Sequence, residues 1–113
     1  MSKSRLDIVK DCFRAYETRN RDLIEQHLAD DFQFFAPPDP GIDRDTYFQR
    51  CWPNSGQIES FEYARLAELG GDEVVVTYEG ARNDGSRFRN TEIHSFRGEK
   101  VARVEVYFGW NLA

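Results

Sequence analysis

The apolar positions of this chain follow two different periods. Leu6, Val9, Phe13 and Tyr16 recur at spacings of three and four, which places one apolar stripe along a helix of about four turns. Ser4, with Asp7 three residues on, resembles a capping box at its start, and Tyr16 ends the stripe facing the core. Asn20 is placed to cap a second, short helix in which Leu23, Ile24, His27 and Leu28 share a face. A short strand follows from Phe32 to Phe35. From Ala36 to Gly41 the chain contains Pro37, Pro38 and Pro40, which lack the main-chain N–H, so this stretch reads as a connector. Asp43 then caps a third helix in which Tyr47, Phe48, Cys51 and Trp52 pair at i, i+4, and Pro53 stops it.

From Ile58 onward the pattern becomes one of long β segments, separated by turn signals at Gly70-Gly71, Asp84-Gly85 and Gly98-Glu99. Four antiparallel strands of about ten to twelve residues each are predicted, about twice the usual length, and strands that long must twist and curve. With two-residue turns throughout, one face carries Phe61, Tyr63, Arg65, Val76, Tyr78, Thr91, Ile93, Val104, Val106, Phe108 and Trp110. This is the more apolar face, and the helices are expected to cover it. The other face carries Val75, Thr77, Asn90, Glu92, His94, Arg103, Glu105 and Tyr107, a mixture suited to a subunit interface. A bulge or a three-residue turn would exchange the two faces of a strand.

Composition narrows the class. The chain has 113 residues, 40% of them hydrophobic and 31% charged, with nine Phe, five Tyr and two Trp, which suits one folded domain over residues 1–113. No apolar run approaches a membrane span, and the first residues lack a signal peptide's apolar stretch, so a cytoplasmic protein is expected. Cys12 and Cys51 have no metal or redox spacing and read as packed thiols. A net charge of -5 gives no footprint for nucleic acid.

The order helix, helix, short strand, helix and four long strands resembles the cone-shaped α+β fold of the nuclear transport factor 2-like superfamily, most closely its SnoaL-like branch with the polyketide cyclases and ketosteroid isomerase. The residues carrying the likeness are Phe13-Arg-Ala-Tyr16, Leu28-Ala-Asp-Asp-Phe32, Ile42 to Phe48 leading to Cys51-Trp-Pro53, and Val104 to Trp110. The resemblance implies three N-terminal helices packed on the concave face of a curved, mostly antiparallel sheet. It also implies a mostly apolar pocket open at one end and a homodimer formed through the convex face. In ketosteroid isomerase an aspartate takes the proton, while a tyrosine and a protonated aspartate hold the oxyanion. Tyr16 matches that tyrosine. The base position falls on Ala36, before Pro37, and the second aspartate falls on Ile93, with Glu92 or His94 replacing it only if the strand is shifted. Steroid isomerisation is therefore not expected.

Several polar residues are candidates for other chemistry in such a pocket. Tyr16, Tyr63 and Tyr78 offer hydroxyls, as donors to a carbonyl or as core aromatics satisfied locally. Arg65 either holds negative charge on a ligand or snorkels to solvent. Asp31 either terminates the second helix with Asp30 or enters the pocket as a general base beside Arg65. With Tyr16, Asp31 and Arg65 as the catalytic set, Tyr63, Tyr78, Cys51, Trp52, Val104, Phe108 and Trp110 form the expected binding wall. The expected ligand is a small carbonyl or anionic molecule, turned over without cofactor or metal by isomerase, cyclase, dehydratase or hydrolase chemistry. Glu92 and His94 are read as a polar network on the convex face, opposite Glu105 and Arg103. A domain that binds a small ligand without turnover, or one that serves protein association, is the alternative.

Overall fold

A computed structural model describes residues 3–113. Helix α1 spans Arg5–Thr18, α2 Arg21–Glu25 and α3 Arg44–Arg50, followed by a 3-10 turn over Trp52–Gln57. All three caps are in place. Ser4 accepts from the Asp7 N–H, Asn20 from Leu23 and Asp43 from Thr46, each satisfying a donor that the first helical turn leaves free. The strands are β1 (Leu28–Ala36), β2 (Asp39–Asp43), β3 (Ile58–Leu69), β4 (Glu73–Arg82), β5 (Arg87–Arg97) and β6 (Lys100–Leu112).

They form one curved, unclosed sheet in the order β2-β1-β6-β5-β4-β3, antiparallel except where β1 runs parallel to β6. The four-strand meander is as expected. The proline-rich stretch is more ordered than expected, because it turns at Pro37-Pro38 and returns as β2, with Ala36 opposite Asp39. Pro40 is tolerated there because β2 is an edge strand. Helix α2 is also shorter than its stripe suggested. It ends at Glu25, and Leu28 already pairs with Val101 of β6, so Asp30 and Asp31 lie within a strand.

The register departs from two-residue turns at one hairpin, and bulges shift it elsewhere. Between β4 and β5 the loop is Asn83-Asp84-Gly85, with Arg82 bonded to Ser86 and Gly85 at a φ of 90° that suits glycine alone. The third residue moves β5 by one position, and His94 now lies opposite Val74 and Val104, and Glu92 opposite Val76 and Val106. A bulge between Tyr63 and Arg65 likewise sets Arg65 opposite Thr77 while Tyr63 keeps Tyr78. A further shift between Arg89 and Asn90 leaves Trp110 opposite Arg89 and Phe108 opposite Asn90.

The core lies between helices and sheet. Val9 and Ala15 of α1, Phe32 of β1, Val74 and Val76 of β4 and Val101 of β6 are almost fully enclosed. Phe13 meets Phe61, Tyr63 and Tyr78 edge-on, with ring centroids 4.7–5.7 Å apart. Among the described residues no helix is long and apolar enough to cross a membrane.

Candidate functional site

Helices and sheet do not fill the space between them. A cavity of about 340 Å³ remains, lined by residues of all three helices and of all six strands. Its walls are chiefly aromatic and aliphatic, including Phe13, Phe32, Phe34, Phe61, Phe88, Val104, Val106 and Phe108. Polar side chains interrupt this lining, and two groups of them are linked by hydrogen bonds.

The first group stands on β4 and β5. Glu92 accepts from the Tyr78 hydroxyl at 2.6 Å through Oε2 and meets His94 Nε2 at 3.0 Å through Oε1. Asn90 extends the chain, donating to the Tyr78 oxygen at 3.4 Å. These residues share a face because Asn90, Glu92 and His94 alternate along β5 while Tyr78 lies opposite Asn90 on β4. The Nδ1 atom of His94 is buried and has no hydrogen-bond partner among the described residues.

The second group joins two helices. Tyr16 of α1 and Tyr47 of α3 hold their hydroxyls 2.6 Å apart. Two hydroxyls bring two protons, and their mutual bond uses one, so the pair has one O–H left to give and, among the described residues, no acceptor for it. Trp52 packs edge-on against Tyr16 at 5.0 Å and fixes the ring from outside the cavity. Burial pushes the Tyr16, Tyr47 and Tyr78 hydroxyls well above their ordinary pKa of 10.0, and the charge of Glu92 adds to the rise in each. All three are therefore neutral donors over the ordinary pH range.

Asp39 and Cys51 complete the lining at the β2 side. Asp39 forms an ion pair with Arg50, Nη2 to Oδ1 at 2.7 Å, without hydrogen-bond alignment, and the Cys51 sulfur lies 3.9 Å from Oδ2. Burial, with the Asp39 charge, pushes the Cys51 thiol up to about 11, and burial raises Cys12 further, so neither presents a thiolate. Among the described residues no group of three or more His, Cys, Asp or Glu side chains is placed to hold a metal ion.

Of the residues expected from sequence, Tyr16, Tyr78, Cys51, Val104 and Phe108 line the cavity. Tyr63, edge-on to Phe13 and about one-third exposed, and Trp52, packed against Tyr16, were expected on the wall but lie outside the lining. Three further placements need correction. Arg65 is exposed and outside the cavity, because the bulge before it turns it to the Thr77 side of the sheet. Asp31 is exposed and ion-paired with Arg97 over a separate depression, because β1 begins early enough to carry it outward. Trp110 is 63% exposed beside Arg89, turned from the cavity by the shift at Gly109, where a side chain would collide with the Arg89 carbonyl. Conversely, Glu92 and His94 face the cavity rather than Glu105 and Arg103. Tyr47 and Asp39 were not singled out. Tyr47 was detectable from its place one turn after the Asp43 cap on the inward stripe of α3, whereas nothing in the sequence marks Asp39.

Compared by sequence, the chain matches no protein-family model and no curated protein. Compared by structure, it aligns with an NTF2-like protein of unknown function from Cytophaga hutchinsonii at a TM-score of 0.74 and 18% identity, covering 96% of this chain and 93% of the other. A candidate ketosteroid isomerase from Kribbella flavida aligns at 0.79 and 15% identity, covering 96% and 80%. The chain has the nuclear transport factor 2-like fold. A candidate polyketide cyclase from Sinorhizobium meliloti shares this fold with it, at a TM-score of 0.72 and 19% identity over 88% and 93% of the two chains. At such identities the nuclear transport factor 2-like likeness extends to the fold alone, and the chemistry is argued from the residues above.

Proposed function

We propose that this is a SnoaL-like domain whose helices close incompletely over a cone-shaped sheet, so that the space between them binds a mostly apolar small molecule with a carbonyl oxygen and moves a proton on it without a cofactor. The observation that carries this is Glu92, a carboxylate on the cavity wall whose two oxygens are held by Tyr78 and His94. Each oxygen has a second lone pair, so Glu92 accepts the proton, while the anchored geometry fixes where it does so. The unused O–H of the Tyr16 and Tyr47 pair receives the negative charge that develops on the substrate oxygen. His94 is a positioning residue, since it acts through Glu92. Ala36, at the position where the resemblance places a base, makes binding without turnover the second reading.

The test uses 5-nitrobenzisoxazole, an apolar ring from which a base removes the C3 proton as the N–O bond breaks, giving a nitrile and a phenolate. The wild-type protein is expected to turn it over saturably. Glu92→Gln is expected to lose about a hundredfold in rate while keeping its fold. A wild-type rate no faster than that of free acetate would exclude proton transfer, and saturable binding without turnover would favour the second reading.

We also propose that the sheet face carrying Val75, Thr77, Thr91, Ile93 and Tyr107, which faces away from the cavity, pairs with a second copy of the chain. Sedimentation equilibrium is expected to give a dimer that Ile93→Arg dissociates. A wild-type monomer would remove the pairing.

A further inference from the structure

The charges facing the cavity are unevenly matched. Asp39 has Arg50 beside it, and Arg82 lies over the Phe88 ring at 4.3 Å with its guanidinium also bonded to Ser86. Glu92 differs. Among the described residues no lysine or arginine pairs with it, and its one ionic partner is His94, a ring that can release the proton that makes it a cation. The field of this carboxylate extends across the cavity, since it acts on the hydroxyls of Tyr16 and Tyr47 as well as on its neighbour Tyr78. The surrounding wall is aromatic, with Phe13, Tyr16, Tyr47, Phe61 and Tyr78 all contributing. The faces of such rings are electron-rich and attract cations, most strongly where water is excluded. Arg65, the residue that would have made the cavity seek anions, lies outside it.

We infer that the cavity selects a ligand with a positively charged nitrogen, a protonated or quaternary amine on an apolar body, taking Glu92 as its counter-ion and the rings as its contact surface. The inference rests on the cavity being the ligand site and is independent of turnover. The two fit together, because a cationic nitrogen withdraws electrons from neighbouring C–H bonds and eases removal of the proton by Glu92. A carboxylate ligand is disfavoured, since it would meet Glu92 and Asp39, while Arg82, a lining cation with no acid partner among the described residues, is already engaged by Ser86 and the Phe88 ring.

Three probes of similar size separate the alternatives by calorimetry at about pH 8, where an ordinary histidine is neutral. These are benzyltrimethylammonium, acetophenone and phenylacetate. The cation is expected to bind about tenfold more tightly than the ketone, and phenylacetate is expected to give no saturable binding. In Glu92→Gln the advantage of the cation over acetophenone, both measured on that variant, falls to about twofold. The wild-type ranking stands as a test even if that variant folds poorly. A cation no tighter than acetophenone, a preference that survives in Glu92→Gln, or a best-binding phenylacetate would overturn the inference. If acetophenone binds without a cation advantage, the charge selection fails and the proposed site stands. If none of the three binds, both fall.

Discussion

Among the described residues the molecule contains two carboxylate and histidine pairs of nearly the same length. Glu92 and His94 stand 3.0 Å apart on the cavity wall, and Asp11 and His27 stand 2.9 Å apart where α1 meets the α2–β1 junction. Their surroundings differ. Asp11 also accepts from Lys3 at 2.6 Å, and the His27 carbonyl accepts from Val101 of β6, so this cluster ties α1 to the sheet and has a permanent cation. Burial alone would raise the Asp11 pKa, but the bonds from Lys3 and His27 outweigh it and hold the carboxyl below its ordinary 3.8. Glu92 has a phenol where Asp11 has an ammonium, and it borders empty space where Asp11 borders packed chain. The same two side-chain types make a structural tie in one place and a chemically available group in the other. What separates them is the third partner and the cavity.

Removing each acid should expose the division. Asp11→Ala leaves His27 and Lys3 without their shared partner and is expected to lower unfolding free energy by about 3 kcal/mol in urea titration, with benzisoxazole turnover by the folded fraction within about twofold of wild type. Glu92→Gln should do the reverse, costing under about 1 kcal/mol, since the amide keeps an acceptor for Tyr78. Equal stability losses in the two variants would erase the distinction. Tyr78→Phe frees one Glu92 oxygen and is expected to slow turnover about tenfold with KM little changed, measured by steady-state kinetics.

A smaller effect tests the Asp11 cluster from the solvent side. Its pKa is depressed in the folded state, so its contribution is fully present above the ordinary value of 3.8 and is lost as pH falls below it toward the folded-state value. Asp11→Asn should therefore flatten the wild-type fall in stability on acidification below about pH 4, followed by urea midpoints. An unchanged slope would mean that Asp11 is not held ionised. Lys3 is more than half exposed, and Lys3→Ala should cost less than about 1 kcal/mol, the smallest effect of the set.

Local chemistry made most of the fold legible in the sequence. Ser4, Asn20 and Asp43 announced three helix starts, and Gly98-Glu99 announced its turn. The interior was harder to read because facing depends on counting. The shift at Arg65 and the extra loop residue among Asn83, Asp84 and Gly85 each reverse a parity that alternation alone cannot reveal. Tyr16 and Tyr78 were found because neither lies downstream of an uncounted residue within its own element. Arg65 and Trp110 were misplaced because each follows such a residue in its own strand, and Glu92 and His94 because the extra loop residue precedes theirs. Asp39 escaped notice for another reason, since the strand that carries it is held by pairing across the sheet rather than by its own sequence, which contains Pro40 and Gly41.

The three-residue loop at Asn83-Asp84-Gly85 therefore acts as a selector of pocket polarity. It lies at the end of a hairpin, yet its length decides whether β5 offers the cavity Asn90, Glu92 and His94 or Thr91, Ile93 and Ser95. A sequence one residue shorter there would exchange an acid-bearing floor for an uncharged one with every cavity residue still present in the chain. In a lineage built on this sheet, insertions and deletions in a surface turn can rewrite the chemistry of the interior without a single substitution inside it.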